Sequence, residues 1–357
     1  MEVALAHDYL TQRGGAERVA LALTDVFPGA PLYTSVYAPD QTFDGFAGVD
    51  VRTSWLQRVP LLRRDPRLAL PLLPPAWEGL RPRGADVVVS SSSGWAHGIG
   101  PEPGCGRVVY CHNPARWLYQ PDDYAGHRAT GAALRLLGRG LSRWDRRAAA
   151  SADHYFANSR SVRDRIRRVY GIDAEVLPPP VSVDPAGEQE PVEGLEPGFW
   201  LTVARGRGYK NVQAVIDGVG LLDDGQLALV GSPEPGQVSD DRNRWLGVVS
   251  DAQLRWLYAH ARALVSVSYE DFGLTPLEAN AFGTPAVVLR AGGFLDTLAE
   301  GVSGAFVEEP EPEAVASALR DLPDFDRAAV VAHASRFGFD AFAARMRQVA
   351  TEVAART

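Results

Sequence analysis

This sequence is poor in several features that would define its class. It has two cysteines, Cys105 and Cys111, too few for a disulfide framework or a four-cysteine zinc site, so free thiols are expected. No apolar run approaches the ~18 residues that span a bilayer. The opening residues, MEVALAHDYL, lack the basic stretch of a signal peptide. Together these absences predict a cytoplasmic protein.

The charge of the chain is moderate in total and uneven in distribution. The 357 residues carry a net charge of −8, which is rare for a nucleic-acid-binding protein, so we expect no nucleic-acid partner. Residues 1–180 contain 22 Arg or Lys against 18 Asp or Glu, whereas the remainder contains 14 against 26. A chain of 357 residues is also too long for one ordinary core, so two domains are expected.

Buried-strand patterns alternate with helical patterns along the whole chain. In the first half, short apolar runs predict strands at 3–7, 31–37, 86–92, 107–112 and 153–159. Amphipathic patterns between them predict helices at 15–27, 131–151 and 160–171. In the second half the same alternation predicts strands at 199–204, 226–231, 244–250, 262–268 and 285–289. Continuous apolar strands between helices predict parallel sheets covered on both faces.

The predicted fold class is therefore α/β, with two doubly wound, Rossmann-like domains in tandem. Residues 60–82, rich in Pro, Leu and Arg, predict a broken helix. Such sheets bind ligands at the carboxyl ends of their strands, so we expect a site in a cleft between two facing sheets. The predicted divisions are a first domain at 1–180, a linker at 181–198, a second domain at 199–337 and a final helix at 338–357 that crosses back to the first domain.

The first predicted strand of each half is followed by a candidate anion-binding segment, which contains glycines in the first half and basic residues in the second. Gly14 and Gly15 open a helix, where backbone N–H groups can hold an anion, although an ordinary glycine turn explains them equally well. Arg205, Arg207 and Lys210 precede another helix and can hold a diphosphate or form a solvated basic loop. The dinucleotide fingerprint and the Walker A motif are both missing, which argues against ATP hydrolysis.

His112 ends a predicted strand in the segment VVYCHNPARWLY. At the carboxyl end of a parallel strand its ring would point toward a ligand and can donate to a hydroxyl or carbonyl oxygen. Arg116, Trp117 and Tyr119 follow closely and can orient or stack on a sugar. The alternative is a structural histidine whose aromatic neighbours pack in the core.

Two glutamates flank a predicted helix start in SYEDFGLTPLEANAFGTP, residues 268–285. Thr275, followed by Pro276 and then Glu278, matches a capping box with proline at the first helical position, so the helix is expected to begin at Thr275. On that interpretation Glu278 is only a cap. Glu270, in the preceding loop, is then only a carboxylate near a helix N-terminus.

The acidic residues show no pattern for a metal site. Adjacent pairs at 122–123, 223–224 and 240–241 lie in expected turns and have no histidine at ligand spacing. We expect the protein to require no metal and no other cofactor.

Taken together, these motifs resemble the retaining glycosyltransferases of family 4, which have the GT-B fold of two Rossmann-like domains. The resemblance covers nearly the whole chain. Its most specific part is EDFGLTPLE, similar to the family's two glutamates eight residues apart, followed by ANAFGTPAVV and AGG. RGGAERV is similar to the family's glycine loop, and the Arg205–Lys210 spacing to its diphosphate-binding pair. HNPARW resembles the HTPMRY segment of bacterial O-antigen mannosyltransferases.

The resemblance implies a role for each candidate residue. Transition-state stabilisation is implied for His112, Glu270, Arg205 and Lys210. Glu278 would hold the ribose hydroxyls of the donor, and Glu270 would contact the donor sugar. Donor binding as a whole is implied for Gly14, Gly15, Arg116, Arg205, Lys210, Phe272, Gly273, Leu274 and Glu278.

The implied reaction is transfer of a sugar from a nucleoside diphosphate to a hydroxyl of a glycan, a glycolipid or a small molecule, with retention of anomeric configuration. HNPARW favours mannose from GDP-mannose, and a UDP-sugar is the alternative donor. The sequence suggests no covalent nucleophile, so the resemblance implies a front-face reaction in which the departing phosphate takes the acceptor proton. The main task of the protein would be to stabilise charge on that phosphate.

Other functions of the same fold stay open at this point. A phosphorylase would use a pyridoxal lysine, but the single lysine, Lys210, is already assigned to phosphate. An epimerase would need further acid/base carboxylates, which the sequence does not reveal. A non-catalytic nucleotide-sugar-binding partner subunit is a third alternative, although the intact glutamate and Arg/Lys pairs argue against it.

Arginines are concentrated on one predicted helix of the first domain. Arg135, Arg139, Arg143 and Arg146 are spaced three or four residues apart and line one stripe of helix 131–151, beside a stripe of Leu and Trp. An ordinary amphipathic helix packed on the sheet explains this pattern. The alternative is peripheral docking at an anionic membrane surface, where each basic residue contributes about 1 kcal/mol. A lipid-linked sugar acceptor would then lie nearby, at the inner face of the membrane.

Overall fold

The protein is described from a computed structural model. The description covers residues 1–61, 66–100, 102–120, 128–204, 210–233 and 236–357, without the side chains of 66–68 and 128–137. Within this part of the chain there are two compact units, one of Met1–Pro180 with Phe339–Thr357 and one of Val181–Gly338. Each unit is built on one parallel sheet, which confirms the predicted α/β class.

The first unit has a seven-stranded parallel sheet in the order β3-β2-β1-β4-β5-β6-β7. The order reverses between β1 and β4, whose residues Val3–His7 pair in register with Val87–Ser91. The carboxyl ends of these two strands therefore form the switch point at which sheets of this kind bind ligands. The strands are β1 (Val3–His7), β2 (Leu32–Thr34), β3 (Val51–Thr53), β4 (Val87–Ser92), β5 (Gly106–Cys111), β6 (His154–Ala157) and β7 (Glu175–Val176).

Helices connect these strands and cover the sheet. They are α1 (Gly15–Val26), α2 (Leu73–Glu78), α3 (Arg116–Tyr119), α4 (Arg128–Ala149) and α5 (Arg160–Tyr170). Short 3₁₀ turns occupy Pro39–Gln41, Asp44–Gly48, Trp55–Arg58, Pro66–Leu72 and Ala96–Gly98. In the segment predicted as a broken helix, residues 62–65 lie outside the described residues, and the rest forms a 3₁₀ turn followed by α2.

The bounds of α5 follow from its sequence. The Ser159 side chain accepts from Val162 N at the start, and Gly171 ends the helix in the left-handed conformation at φ +73°. Val162 and Ile166, four residues apart, are buried against the sheet, while Arg160, Arg167 and Arg168 are exposed.

The second unit has a six-stranded parallel sheet in the order β10-β9-β8-β11-β12-β13. Its order reverses between β8 and β11, so this unit has a switch point of its own. The strands are β8 (Trp200–Val203), β9 (Leu227–Val230), β10 (Asn243–Gly247), β11 (Ala263–Ser266), β12 (Ala286–Leu289) and β13 (Gly304–Val307). The helices are α6 (Val212–Gly220), α7 (Asp251–His260), α8 (Leu274–Ala281), α9 (Phe294–Thr297), α10 (Pro312–Arg320) and α11 (Arg327–Ser335).

The segment predicted as a linker, 181–198, is part of the second unit. Val181 N donates to Phe337 O at 2.9 Å, Glu190 N donates to Ala252 O at 3.1 Å, and Leu195 is buried in the core. The segment predicted as a linker thus packs as part of the second unit. The segment lacks periodic structure, but its backbone forms hydrogen bonds within the second unit and its apolar side chains pack in the core of that unit.

The final helix, α12 (Phe339–Ala354), belongs to the first unit. Its apolar face enters the core of that unit, and the Arg345 guanidinium donates to both carboxyl oxygens of Glu175 at 2.7 Å. A Cβ at Gly106 would lie 2.5 Å from Val353 Cγ1, so the glycine at the start of β5 allows the helix to approach. The buried side chains of this helix are Phe342, Ala343, Met346, Val349, Ala350 and Val353.

Candidate functional site

In the second unit the predicted cation and carboxylate meet. Lys210 Nζ forms an ion pair with Glu270 Oε1, and Ser268 Oγ donates to the same oxygen at 2.7 Å. The lysine and glutamate side chains are 18% and 21% exposed, so the pair is screened from solvent but reachable. Lys210 follows β8 and Glu270 follows β11, which are neighbours in the sheet. The switch point therefore joins two motifs that lie 60 residues apart in the sequence.

Two glycines hold the loop that carries Glu270. Gly293 N donates to Glu270 O at 2.8 Å. A Cβ at Gly292 would lie 2.4 Å from Glu270 O, and one at Gly293 would lie 2.3 Å from Phe272 Cα. Side chains at either position would displace the loop, which explains physically why AGG accompanies the glutamate motif.

The predicted capping box at Thr275 is wrong. Helix α8 begins at Leu274, its N-cap is Gly273 in the left-handed conformation at φ +88°, and no side chain caps it. The glycine allows the chain to enter the helix before Thr275 is reached, and a Cβ there would lie 2.5 Å from Phe294 Cε1. Phe272, just before this turn, is buried.

Glu278 is held by a side chain that the sequence did not indicate. Its side chain is buried, with the residue 6% exposed, and its Oε2 accepts from the hydroxyl of Tyr258 at 2.7 Å. Tyr258 lies on α7 and is fully buried, and its own carbonyl accepts from Thr284 Oγ1. A carboxyl group oriented this way from inside the unit is a positioned acceptor rather than a helix cap.

The basic loop after β8 is described only at its end. Arg205 and Arg207 lie outside the described residues, so the predicted diphosphate pair is represented by Lys210 alone. Next to it, Asn211 adopts the left-handed conformation at φ +50° and its Nδ2 donates to Val267 O at 2.9 Å. This hydrogen bond fixes the start of α6 against the end of β11.

In the first unit, an acidic side chain, that of Glu17, lies against the glycine turn after β1. Gly14 is the extended N-cap of α1, and Gly15 is its first residue. The Glu17 side chain folds back over the turn, since a Cβ at Gly14 would lie 2.5 Å from Glu17 Oε2. The buried carboxyl group thus lies where the helix N-terminus would attract an anion. Anion binding by Gly14 and Gly15 stays a prediction.

His112 is buried at the end of β5, with 8% of the residue exposed. Its Nε2 lies 2.8 Å from Ser91 Oγ on β4, and Ser91 Oγ lies 3.0 Å from His7 Nδ1 on β1. Burial, and next to it the charge of His7, lower the pKa of His112 from 6.5 to about 3. His112 is therefore neutral at physiological pH, which suits a hydrogen-bonding role better than a cationic one.

Asp8 is a second residue that the sequence did not indicate. Its carboxyl oxygens accept from three backbone N–H groups, Ser93 at 2.5 Å, Trp95 at 2.8 Å and Ala96 at 2.7 Å. These bonds tie the loop after β4 to the loop after β1. The switch point of the first unit is thus held rigid around His112.

The aromatic residues after His112 have structural partners. Trp117 packs edge-on against the buried Trp95, with ring centroids 4.4 Å apart, and the Tyr119 hydroxyl donates to Asp145 Oδ2 at 2.8 Å. Trp117 therefore packs α3 on the loop after β4, and Tyr119 bonds α3 to α4, so both side chains have structural partners. Arg116 is half-buried at the first position of α3, and its predicted donor contact stays a prediction.

Both cysteines are free, as predicted, and both are buried. Among the described side chains, no group of three His, Cys, Asp or Glu residues is arranged to hold a metal ion. No helix in the described ranges is long and apolar enough to cross a membrane. These observations do not test the prediction that the protein requires no metal and no other cofactor.

Comparison with known proteins relates both halves of the chain to one family. Residues 13–185 match the family model described as Glycosyltransferase Family 4, and residues 187–326 match the one described as Glycosyl transferases group 1. The chain is 40% identical over 103 residues to a D-inositol 3-phosphate glycosyltransferase of Thermobispora bispora, which covers 27% of this chain and 24% of that relative. It is 30% identical over 247 residues to the protein of the same name from Segniliparus rotundus, which covers 58% and 53%.

Among solved structures, Anabaena Alr3699/HepE in complex with UDP and glucose has a TM-score of 0.70 over 98% of this chain and 99% of that chain. Its sequence identity of 16% makes this a likeness of fold, and the shared fold is GT-B, two Rossmann-like domains. The matched region spans 24% and 53% of the two curated relatives, less than two thirds of either. The two adjacent family matches nevertheless cover most of this chain, which belongs to glycosyltransferase family 4.

Proposed function

We propose that this protein transfers a sugar from a nucleoside diphosphate donor to an acceptor hydroxyl, with retention of anomeric configuration. The observation that carries the proposal is the ion pair between Lys210 and Glu270 at the switch point of the second unit. Glu270 lies on the loop that leads into α8, the helix that contains Glu278. A cation for the diphosphate and two carboxyl groups for hydroxyls are the groups that a nucleotide sugar requires.

In this proposal Glu278 binds the ribose of the donor. Tyr258 already donates to its Oε2, so Oε1 is the oxygen proposed to accept from a ribose hydroxyl. Because the carboxyl group is buried and oriented before the donor arrives, little side-chain entropy is lost on binding. The N-terminus of α8, which begins one turn earlier, adds a partial positive charge for the phosphates.

Lys210 and Glu270 act at the reacting end of the donor. An ammonium group has three N–H donors, so Lys210 can keep its bond to Glu270 while it donates to the leaving diphosphate. Glu270, oriented also by Ser268, accepts from a hydroxyl of the donor sugar and favours positive charge on that sugar as the bond breaks. Arg205 is proposed to assist Lys210, and His112 to orient the donor sugar, as the family resemblance implies.

The donor itself is proposed as GDP-mannose, because HNPARW resembles the mannosyltransferase segment. A UDP-sugar is the second candidate, favoured by the UDP and glucose bound in the Anabaena protein of the same fold. Competition binding with GDP and UDP distinguishes them. A clear preference for UDP overturns the GDP-mannose assignment and leaves the family unchanged.

The acceptor is proposed to be a glycan or a lipid-linked sugar. The name of the curated relatives raises a phosphorylated inositol as a small-molecule alternative. Arg139, Arg143, Arg146 and Arg147 are exposed on α4, and the side chain of Arg135 lies outside the described residues. This exposed basic face supports docking at an anionic membrane surface, whereas the buried Leu141 supports an ordinary amphipathic helix.

Sedimentation with anionic and neutral vesicles tests the docking proposal. Salt-sensitive binding to anionic vesicles that is lost when the exposed arginines of 139–147 become glutamine supports it. Lack of binding to either vesicle at low salt overturns it and favours a soluble acceptor.

Nucleotide release tests the catalytic proposal. Incubation with GDP- and UDP-sugars, with candidate acceptors present, is expected to liberate nucleoside diphosphate at a rate that Glu270→Ala abolishes. Turnover is expected to survive chelation of divalent metals, because the positive charge at the diphosphate comes from the protein. Tight donor binding with no release by the intact chain would instead identify a non-catalytic nucleotide-sugar-binding subunit.

A further inference from the structure

A chain of buried polar side chains crosses the switch point of the first unit. Glu17 of α1, His7 at the end of β1, Ser91 of β4 and His112 after β5 follow one another, and all four are buried. His7 Nε2 lies 3.8 Å from Glu17 Oε1, and His7 Nδ1 lies 3.0 Å from Ser91 Oγ. Ser91 Oγ in turn lies 2.8 Å from His112 Nε2. Three elements of the sheet and the glycine turn are thus connected through two imidazole rings.

The direction of these hydrogen bonds follows from the acceptors beside His7. Its Nδ1 also lies 3.2 Å from the Ser91 carbonyl oxygen, and a carbonyl oxygen can only accept. Nδ1 therefore carries a proton, which points between the carbonyl and the hydroxyl of Ser91. The other ring nitrogen of His7 faces the carboxyl group of Glu17, which also attracts a donor. His7 is thus flanked by acceptors on both sides.

This arrangement leaves the Ser91 hydroxyl with a proton to donate. Its oxygen accepts from His7 Nδ1, so its own proton is available for the third group in contact with it, His112 Nε2. A ring nitrogen that accepts a hydrogen bond has no proton. In a neutral imidazole the remaining proton is then on Nδ1.

We propose that His7 and Ser91 are positioning residues that hold His112 as a neutral imidazole with its proton on Nδ1. The buried setting, with the Tyr110 ring edge-on at 5.2 Å, supports a neutral ring. Burial and the neighbouring His7 also lower the pKa of His112 to about 3, so the ring stays neutral across the physiological range.

The tautomer determines what His112 offers to a substrate. Its Nε2 is occupied by Ser91, and its Nδ1 is an N–H donor without formal charge. His112 can therefore donate to a sugar hydroxyl oxygen but does not serve as a general base through that nitrogen. This consequence rests on the proposed glycosyl transfer, in which the departing phosphate takes the acceptor proton and no base is needed.

Nitrogen-15 NMR of histidine-labelled full-length protein tests the proposal without any assay of activity. His112 is assigned from the signal that disappears in His112→Gln. The expected spectrum has a protonated, pyrrole-like Nδ1 and an unprotonated, pyridine-like Nε2. A proton on Nε2, or a mixture of both tautomers, would overturn the proposal. The tautomer itself is measured on the unaltered chain, and His112→Gln serves only to assign the signal.

Two serine substitutions then separate positioning from stability. Ser91→Ala removes the donor to His112 Nε2, and we expect a substantial fraction of the ring to move its proton to Nε2. Ser92→Ala is the matched control, because Ser92 lies next to it on β4, is equally buried, and its hydroxyl pairs with a different histidine, His97 Nδ1 at 3.0 Å. We expect Ser92→Ala to leave the His112 tautomer unchanged. An unchanged tautomer in Ser91→Ala would overturn the role of Ser91.

Kinetics provide the second readout. Ser91→Ala is expected to lower kcat about ten-fold or more with a smaller change in the KM for donor, because an orientation is lost rather than a binding contact. Ser92→Ala is expected to retain kcat within about two-fold. Equal losses in both variants would indicate a structural role only and overturn the positioning role. If no donor is turned over by the unaltered chain, the proposed function fails, while the NMR result still decides the tautomer.

Discussion

The two units place their candidate residues at the same topological position and treat them differently. In the first unit, His7, Ser91 and His112 are buried and bonded to one another. In the second unit, Lys210 and Glu270 form an ion pair that stays about one fifth exposed. The comparison shows that one sheet topology supports both a buried hydrogen-bonded network and a reachable charged pair.

The difference follows from the cost of burying charge. A neutral hydrogen-bonded network tolerates a low dielectric, and there it fixes orientation. An ammonium and a carboxylate that bind a ligand keep some access to water. This access lowers the cost of desolvating the two charged groups, both before and after the ligand binds. We therefore expect substitutions in the first unit to change orientation and pH dependence, and substitutions in the second to change charge stabilisation and affinity.

The largest expected effect is that of Glu270→Ala. Its carboxyl group contributes most as positive charge develops on the donor sugar, so kcat should fall about 100-fold or more while donor affinity changes less. Steady-state kinetics with direct measurement of donor Kd check this. Glu308→Ala is the matched control, since Glu308 is a glutamate of the same unit paired with Arg290 at 2.6 Å on the exposed surface. A variant that loses donor affinity but keeps its kcat would contradict the assignment of Glu270 to charge stabilisation.

Glu278→Ala should act on affinity instead. Loss of the proposed ribose contact is expected to raise the Kd for nucleoside diphosphate about 10-fold or more, since a hydrogen bond to a charged group contributes about 1.5–3 kcal/mol. The substitution also removes the hydrogen bond that the Tyr258 hydroxyl donates to Glu278, so some stability is lost by a route other than helix capping. Calorimetric titration with GDP and UDP measures the affinity. Unchanged affinity in a destabilised variant would assign Glu278 to structure alone.

His112 should make the first unit sensitive to acid. Its pKa is about 3 when folded and 6.5 in the reference state, so between these values the unfolded chain binds more protons. Stability is therefore complete above pH 6.5 and is lost as pH falls toward 3. From pH 7 to pH 5 this group should lower the free energy of unfolding by about 2 kcal/mol. Urea unfolding of the wild type and of His112→Gln measures it, and identical pH slopes would contradict the assignment.

The smallest expected effect belongs to Tyr258→Phe. Removing the hydroxyl that orients Glu278 should raise the Kd for nucleoside diphosphate about 3- to 5-fold, because the hydroxyl affects the ligand only through the orientation of the carboxyl group. Thr202→Val is the control, since its hydroxyl also makes one buried hydrogen bond in this unit, to Val265 O at 2.9 Å. Equal affinity in the two variants would show that Tyr258 only supports the fold.

The parts that could be predicted from sequence are those with local causes. The bounds of α5 follow from the cap at Ser159 and the glycine at 171. The capping box failed because a tertiary contact, Gly273 packed against Phe294, sets where α8 begins. Strands β3 and β7 are three and two residues long and were not predicted, because so short a run has no readable periodicity. Strand β13, four residues long, was missed as well.

The candidate site divides in the same way. The residues of the family motifs were predicted because each motif is contiguous in sequence. Tyr258, Ser91 and Asp8 were not, because each acts through a hydrogen bond to a residue 20 or more positions away. Finding them requires the order of strands in each sheet, and the sequence pattern predicts parallel sheets without giving that order.

Real-time proton NMR of donor turnover by the full chain tests the central claim most directly. With GDP-mannose or a UDP-sugar and an acceptor, the account predicts that the donor anomeric signal decays, nucleoside diphosphate appears, and the first product formed has the anomeric configuration of the donor. A product of inverted configuration would contradict the proposed mechanism. A donor that binds and is never consumed, with any acceptor offered, would contradict the claim that this chain is a working glycosyltransferase.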